Sequence, residues 1–317
     1  MHPVRVGVVG VGHLGYHHAR NYAALDNVVL AGVVDTHAER LAKAAQDFNA
    51  PGFSTVSELL KEGVDAVSVV VPTSAHHDAT IALLEAGIDV LVEKPIASTM
   101  AEAERMVSSA RAHNRLLQVG HIERFNGAVV ALFGSVREPR FIECHRLSPY
   151  PNRGEDVSVV LDLMIHDLEI VRALVGEPVT AVDAVGVPVF SKQEDIANAR
   201  IRFASGCVAN ITCSRVSVER MRKIRIFARE SYVSTDYSAQ EVLVYRKKPG
   251  PLEEGMTPMD LISVEPLDVH KDEPLKLELA SFVQCVRERR RPLVSGEDAL
   301  EALALAQQVV DFIREHP

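Results

Sequence analysis

Six residues near the start of the chain, Gly10-Val11-Gly12-His13-Leu14-Gly15, carry the spacing GxGxxG. The chemistry this pattern serves is the binding of a pyrophosphate. Gly10 permits a tight turn, Gly12 lets backbone approach the phosphates, and Gly15 allows a helix to pack closely on a strand. His13 and Leu14 fill the variable positions of the same loop. The helix that opens there offers free N–H groups and the positive end of its dipole. An acidic residue, Asp35, follows 20 residues after Gly15. A carboxylate at that distance can accept from both hydroxyls of an adenosine ribose and repels a 2′-phosphate, which favours NAD over NADP. Arg40 is near in sequence and keeps NADP open as the second choice. The competing reading is a glycine-rich turn that binds nothing. The strand before it, the helix after it and the acid all oppose that reading.

Other residues could handle protons. Asp89-Val90-Leu91-Val92-Glu93-Lys94-Pro95 puts Lys94 just beyond the end of an apolar run. A partly desolvated lysine there can join proton transfer, while the plain alternative is a surface lysine at a strand end. Pro95 restricts the Lys94 backbone to extended conformations. Pro72-Thr73-Ser74-Ala75-His76 follows another apolar run. It suits contacts to ribose or nicotinamide, or else a helix N-cap at Thr73 or Ser74. Asp162 and His166 are four apart on a predicted helix and so share one face. The histidine can take a hydroxyl proton while the carboxylate orients it. A structural pair and a metal site stay open as alternatives, although no further ligands have diagnostic spacing, so no metal is expected. Basic residues cluster at Arg220–Arg225 and Arg287–Arg291. They read as solvated faces, or, for Arg220, Arg222 and Lys223, as a contact to a substrate phosphate.

The elements that must position these residues follow from periodicity. Short apolar runs at Val4–Val9, Val28–Val34, Ala66–Val71, Val90–Val92 and Leu116–Val119 alternate with helical spacing over His13–Leu25, His37–Phe48, Val56–Lys61, Ala75–Ala86 and Met100–His113. Thr55 or Ser57, and Ser98 or Thr99, are candidate N-caps, and Gly63 and Gly87 candidate terminators. Alternation of this kind predicts βαβ units and a doubly wound parallel sheet. The second half predicts a helix over Val159–Leu174 ending near Gly176. Strands follow at Val179–Val187, Ala197–Phe203, Cys207–Ser214, Ile224–Ala228, Tyr232–Asp236 and Val242–Tyr245. Turns at Ser205-Gly206 and Glu230-Ser231 imply an antiparallel sheet. Lys247–Asp260 reads as a loop, and helices near Leu275–Arg289 and Gly296–Arg314 close the chain. The class is α/β, with a dinucleotide-binding domain over 1–121 and a substrate-binding and oligomerisation domain over 122–317. The C-terminal helix is free to pack back on the first domain.

Composition bounds the partners. The 317 residues are 47% hydrophobic and 24% charged, and 34 basic against 43 acidic residues give a net charge of −9. An acidic chain of this balance is a soluble globular protein that polyanions repel, so neither nucleic acid nor a membrane surface is expected. No apolar stretch approaches a spanning length, and the N-terminus lacks the features of a signal peptide. Cys144, Cys207, Cys213 and Cys285 form no CxxC pair and read as free thiols of a reducing cytoplasm.

Taken together, GVGHLG, Glu93-Lys94-Pro95, Pro72-Thr73 with His76, Gly120-His121 with Arg124-Phe125, and Asp162 with His166 resemble the Gfo/Idh/MocA oxidoreductases across nearly the whole chain. The resemblance implies a Rossmann domain followed by an α/β domain with a large open sheet that pairs subunits into a homodimer or homotetramer. It implies Lys94 and His166 as the proton-handling pair, with Asp162 in support. Gly10, Gly12, His13, Leu14, Gly15, Asp35, Arg40, Pro72, Thr73, His76, Glu93 and Lys94 are then expected around NAD. Lys94, His121, Arg124, Asp162 and His166 are expected around the substrate.

Gly120–Asn126, Asp162–Val171 and Ser214–Ser234 are similar to a subgroup that oxidises UDP-N-acetylglucosamine at C3. In that subgroup a pyridoxal-phosphate aminotransferase acts next, in making lipid A-type or cell-surface sugars. Arg124 and the Arg220–Arg225 cluster would then suit the diphosphate. A dehydrogenase of a free sugar or polyol, such as an inositol, is the alternative, and a non-catalytic NAD-binding sensor is the alternative of another class.

Overall fold

The computed structural model of the chain describes residues 2–150, 157–251 and 255–316. Contacts divide it into two units, one within Met1–Ile122 and Glu273–Leu303, the other within Glu123–Asp272 and Ala304–Pro317. The division is therefore not one cut near residue 121, because residues 273–303 group with the first unit.

In the first unit, strands β1 (Val4–Val9), β2 (Val28–Val34), β3 (Gly52–Phe53), β4 (Ala66–Val69), β5 (Asp89–Glu93) and β6 (Leu117–Gly120) form a parallel sheet ordered β3-β2-β1-β4-β5-β6. Helices α1 (His13–Ala24), α2 (Ala38–Asp47), α3 (Val56–Leu60), α4 (His76–Glu85) and α5 (Met100–Ala112) connect them. The central strands are buried on both faces, which is why they read as unbroken apolar runs. The caps follow side-chain chemistry. Thr55 and Thr99 accept from the N–H groups of Glu58 and Glu102 at 3.3 Å, and each glutamate reaches back to its cap. Ser57 and Ser98 are not caps. The strand order reverses between β1 and β4, and ligands of such sheets bind outside the carboxyl ends at that point.

The second unit begins with α6 (Gly127–Ser135) and β7 (Phe141–Leu147). A π-helical turn over Val160–Met164 leads into α7 (Ile165–Val175), which ends at Gly176 in the left-handed region (φ 67°). Then come β8 (Val179–Val187), β9 (Ile196–Phe203), β10 (Val208–Ser214), β11 (Met221–Phe227), β12 (Ser231–Asp236), β13 (Glu241–Lys247) and β14 (Ile262–Pro266). The sheet order is β14-β13-β12-β11-β7-β10-β9-β8. All neighbours are antiparallel except β7 and β10, which run parallel. The Ser205-Gly206 turn lies where expected, but the next one is Arg229-Glu230, because Ser231 already begins β12. Of the expected 247–260 loop, residues 252–254 lie outside the described residues, and Pro258–Leu261 form a 3-10 turn.

Alternate residues of this sheet, among them Ile142 and Cys144 of β7, Ala199 and Ile201 of β9 and Ile211 of β10, are buried on the face that meets α6 and α7. The other face carries a cross-strand aromatic row. Ring centroids are 5.8 Å apart for Phe141 and Phe227, 4.7 Å for Phe227 and Tyr232, and 4.8 Å for Tyr232 and Tyr245.

The last helices are α8 (Pro274–Glu288) and α9 (Gly296–Glu315). Leu275, Leu279 and Phe282 of α8 pack in one core with Val6 and Val8 of β1, Tyr22 of α1 and Leu91 of β5. All four cysteines are buried and free. No helix among the described residues is long and apolar enough to cross a membrane.

Candidate active site

The three fingerprint glycines are glycines for different reasons. Gly10 has φ 88°, and a Cβ there would lie 2.5 Å from the Val70 carbonyl oxygen. A Cβ on Gly15 would lie 1.8 Å from the Gly10 carbonyl oxygen. Gly12 is the exception. Its Cβ would meet nothing closer than Arg40 Nη1, at 3.9 Å. The protein itself does not forbid a side chain at Gly12, so the open space is room for a ligand. Gly12 is also the N-cap of α1, with no side chain capping the helix and no acidic residue in its first turn. Unspent N–H groups and a positive dipole end therefore face that space. His13 and Leu14 are exposed on the same turn. These features fit the pyrophosphate of a dinucleotide.

Asp35 directly follows β2 and does more than expected. Its Oδ2 accepts from the Val11 N–H at 2.9 Å, and its Oδ1 from the His37 N–H at 2.8 Å. The carboxylate pins the glycine loop and keeps lone pairs for ribose hydroxyls.

Pro72 is exposed and Thr73 half-buried in a 3-10 turn over Thr73–Ala75. Neither Thr73 nor Ser74 caps α4, whose N-cap is Ala75. His76 departs from its expected place beside ribose or nicotinamide. It is buried, with one ring nitrogen 2.9 Å from the Val71 carbonyl and the other 2.9 Å from that of Pro95. Burial lowers its pKa, with the two carbonyl contacts opposing. His76 is thus a brace between the β4 loop and the segment after β5.

Lys94 follows β5, half-buried, at a cis Lys94-Pro95 peptide. Glu93, before it, points inward. Its Oε1 lies 3.1 Å from His18 Nε2, and its Oε2 accepts the Lys94 N–H at 3.3 Å. A Cβ on Gly120 would lie 2.6 Å from Glu93 Oε1, so that glycine makes room for the carboxylate. His121 is buried at the end of β6. The carboxyl ends of β1, β2, β4, β5 and β6 thus gather the glycine loop, Asp35, Thr73, Lys94 and His121 on one edge of the sheet.

In the second unit, Asp162 lies in the π turn and His166 in the first turn of α7, both half-buried. The expected continuous α-helix is corrected here, since the Ile165 N–H reaches back five residues to the Val160 carbonyl. Below them is a buried ion cluster that sequence reading missed. Arg146 of β7 grips Asp167 through two bonds of 2.8 and 3.0 Å and Glu123 at 2.9 Å. Burial disfavours the guanidinium charge, but the two carboxylates outweigh it.

A second missed cluster centres on Asp195, which accepts from the N–H groups of Val189, Phe190 and Ser191 and from Arg215 Nε at 2.7 Å. Burial opposes ionisation, yet these donors hold its carboxyl well below the usual range. Arg215 also bonds the Val157 carbonyl, which anchors the approach to the π turn. Neither cluster had a signal in the sequence, since β7 was not predicted and Arg215 lies just past the end of β10.

Arg124, expected at a diphosphate, is instead 2.6 Å from Glu169 and 4.4 Å over the Phe133 ring, nearly buried. Its charge and its face are engaged within the fold. The Arg220–Arg225 cluster is likewise largely spent across strands, with Arg222 near Glu123, Lys223 near Asp236 and Arg225 near Glu143. No group of metal-ligating residues occurs among the described residues.

Residues 4–121 match the GFO/IDH/MocA model described as an oxidoreductase family with an NAD-binding Rossmann fold, and residues 123–233 match the C-terminal domain of the same family. The chain is 37% identical over 310 residues to the UDP-N-acetylglucosamine 3-dehydrogenase of Acidithiobacillus ferrooxidans, covering 96% of each chain. A solved structure of that enzyme superposes with a TM-score of 0.92 at 36% identity, over 99% of both chains. Similarity to the myo-inositol 2-dehydrogenase of Thermotoga maritima is 27% over 330 residues, 98% of this chain and 97% of the other.

Proposed function

This chain belongs to the GFO/IDH/MocA oxidoreductases, and starting from that membership we propose that it oxidises the C3 hydroxyl of UDP-N-acetylglucosamine or a closely related UDP-sugar to a ketone. The observation that carries the substrate is the 37% identity over 96% of both chains to an enzyme of that name.

NAD, when bound, supplies the hydride acceptor. The chain's own residues do the rest. The open N–H groups after Gly12 hold the pyrophosphate, and Asp35 holds the adenosine ribose and disfavours a 2′-phosphate. His166 takes the proton of the substrate hydroxyl, Asp162 orients the ring and steadies its charge, and Lys94 helps the proton transfer. The keto sugar formed is a substrate for a pyridoxal-phosphate aminotransferase, the class of enzyme that would act next. The aromatic face of the second sheet is an apolar surface suited to pairing subunits into a homodimer or homotetramer. The four free thiols fit the cytoplasm. Oxidation of an inositol is the second reading, favoured by the 27% identity that extends over 98% of the chain.

The test is incubation with NAD and a mixed pool of UDP-sugars and free polyols, followed by mass spectrometry. An oxidised UDP-N-acetylhexosamine is expected. An oxidised free polyol instead would replace the first reading by the second. K94A separates an enzyme from an NAD-binding sensor, since the enzyme loses turnover and keeps NAD binding.

A further inference from the structure

The first unit buries an acid that the reaction does not use. Glu278 of α8 is fully buried, and neither of its carboxyl oxygens has a hydrogen-bond partner among the described residues. Its helix neighbours Leu275, Leu279 and Phe282 are core residues, so a bare carboxylate there would lose its hydration with nothing in return. The facing elements supply no cation to offset it. Glu93 of β5 and Tyr22 of α1 act on it electrostatically, His18 of α1 adjoins Glu93 and Ser68 of β4 adjoins Tyr22, and Gln118 of β6 is buried in the same unit. The Tyr22 hydroxyl is engaged with Ser68 at 2.8 Å. His18 spends Nε2 on Glu93 and leaves Nδ1 without a partner, and both amide atoms of Gln118 are also unpartnered. No lysine or arginine is among the described buried residues of this unit. Arg20 of α1 is paired with Glu273, five residues before Glu278, and His17 lies beside the same pair. Two carboxyl groups and one imidazole thus share a buried interior.

We propose that Glu278 is a resident neutral acid that keeps one proton beside Glu93, and that it is a positioning residue for Lys94, acting through the Glu93 carboxylate that accepts the Lys94 N–H. Burial and the neighbouring Glu93 charge both push the Glu278 carboxyl well above its ordinary range. While Glu278 is neutral, Glu93 can bear the single negative charge and stay fixed between His18 and the Lys94 backbone. When Glu278 ionises, two like charges face each other, and Glu93 is driven off that geometry. The part that concerns Lys94 rests on the proton-handling role proposed above. The part that concerns the proton does not.

Two measurements on the full-length protein test it. Infrared spectra of wild type and E278Q at pH 8 should differ by the carbonyl stretch of a protonated carboxyl, present in wild type and absent from E278Q. Identical spectra would overturn the proposal whatever the enzyme oxidises. The ratio of kcat for E278Q to that of wild type, followed from neutral to alkaline pH, should rise at least about threefold on the alkaline side, because glutamine has no proton to lose. A structural role alone would leave that ratio flat, and a flat ratio overturns the positioning role. The infrared band reports the proton even if no UDP-sugar or polyol is turned over, so failure of the substrate reading and failure of this one are told apart.

Discussion

Substituting alanine at Gly12 and at Gly15 should separate cofactor binding from folding. At Gly15 the new Cβ would sit 1.8 Å from the Gly10 carbonyl oxygen. Real contacts of this kind begin near 3.0 Å, so the loop backbone must move by 3.0 − 1.8 = 1.2 Å. Overpacking of that size costs about 1–3 kcal/mol or more, and the unfolding midpoint should fall by several degrees. At Gly12 the nearest atom is 3.9 Å away and φ is −63°, which any residue adopts. Loss of unfolded-state freedom favours alanine there by about 0.4–1 kcal/mol. Its poor showing as an N-cap costs a similar amount. The two nearly cancel, and the midpoint should stay within about 3 °C. The methyl group does occupy the approach to the free N–H groups. Losing one hydrogen bond to a charged phosphate costs about 1.5–3 kcal/mol, or roughly 10- to 150-fold in affinity. Thermal unfolding with and without NAD, together with calorimetric titration, would decide. G12A should unfold like wild type but lose its shift with NAD. Wild-type NAD affinity in G12A would refute the reasoning.

Other outcomes follow from the same contacts. D35S should raise the preference for NADP over NAD at least about tenfold in binding, and R40A should reverse it. R146M strips the buried Asp167 of its guanidinium and leaves Glu123 only the more distant Arg222, and should cost about 3–5 kcal/mol in denaturant unfolding. The Asp195 carboxyl is depressed in the folded chain, so its contribution is complete above the unfolded carboxylate value of about 4 and fades as pH falls through the folded one. The stability gap between wild type and D195N should therefore shrink from about pH 5 to about pH 2. Y232E, in the middle of the aromatic row, should lower the mass seen by light scattering to that of a smaller assembly, and an unchanged mass would exclude that face as the interface.

The first sheet was legible because its strands are apolar on both faces and two of the connecting helices, α3 and α5, carry clear caps. β3 escaped because two residues carry no period. β7 escaped because its inward positions include Cys144 and Arg146, and an arginine looks like an outward residue until Asp167 and Glu123 are seen to meet it. α6, bounded by Gly127 and interrupted by Gly134, has too little periodicity to stand out. At the site, the glycine loop and Asp35 stood out by local spacing, whereas the position of Lys94 read equally as a surface lysine and only the family resemblance singled it out. Arg124 misled for the opposite reason. Its partner Glu169 is 45 residues away, and no spacing rule connects them. His76 misled because a buried histidine between two carbonyls and an exposed ligand histidine look alike in one dimension.

The π turn at Val160–Met164 lies between two anchored stretches. Before it, the Val157 carbonyl is held by Arg215, and the Val159 N–H by the Glu194 carbonyl at 2.9 Å. After it, Asp167 is held by Arg146, and Glu169 by Arg124. An α-helix advances 1.5 Å and about 100° per residue, so it offers only discrete ways to span two fixed clamps. One surplus residue, looped into a wider turn, works like a vernier that sets the phase of one clamp against the other. Deleting a single residue such as Leu161 would close the turn into α-helix and force one set of clamps to let go. Chain length here is therefore itself a specified quantity, as strictly as the identity of any side chain in the turn.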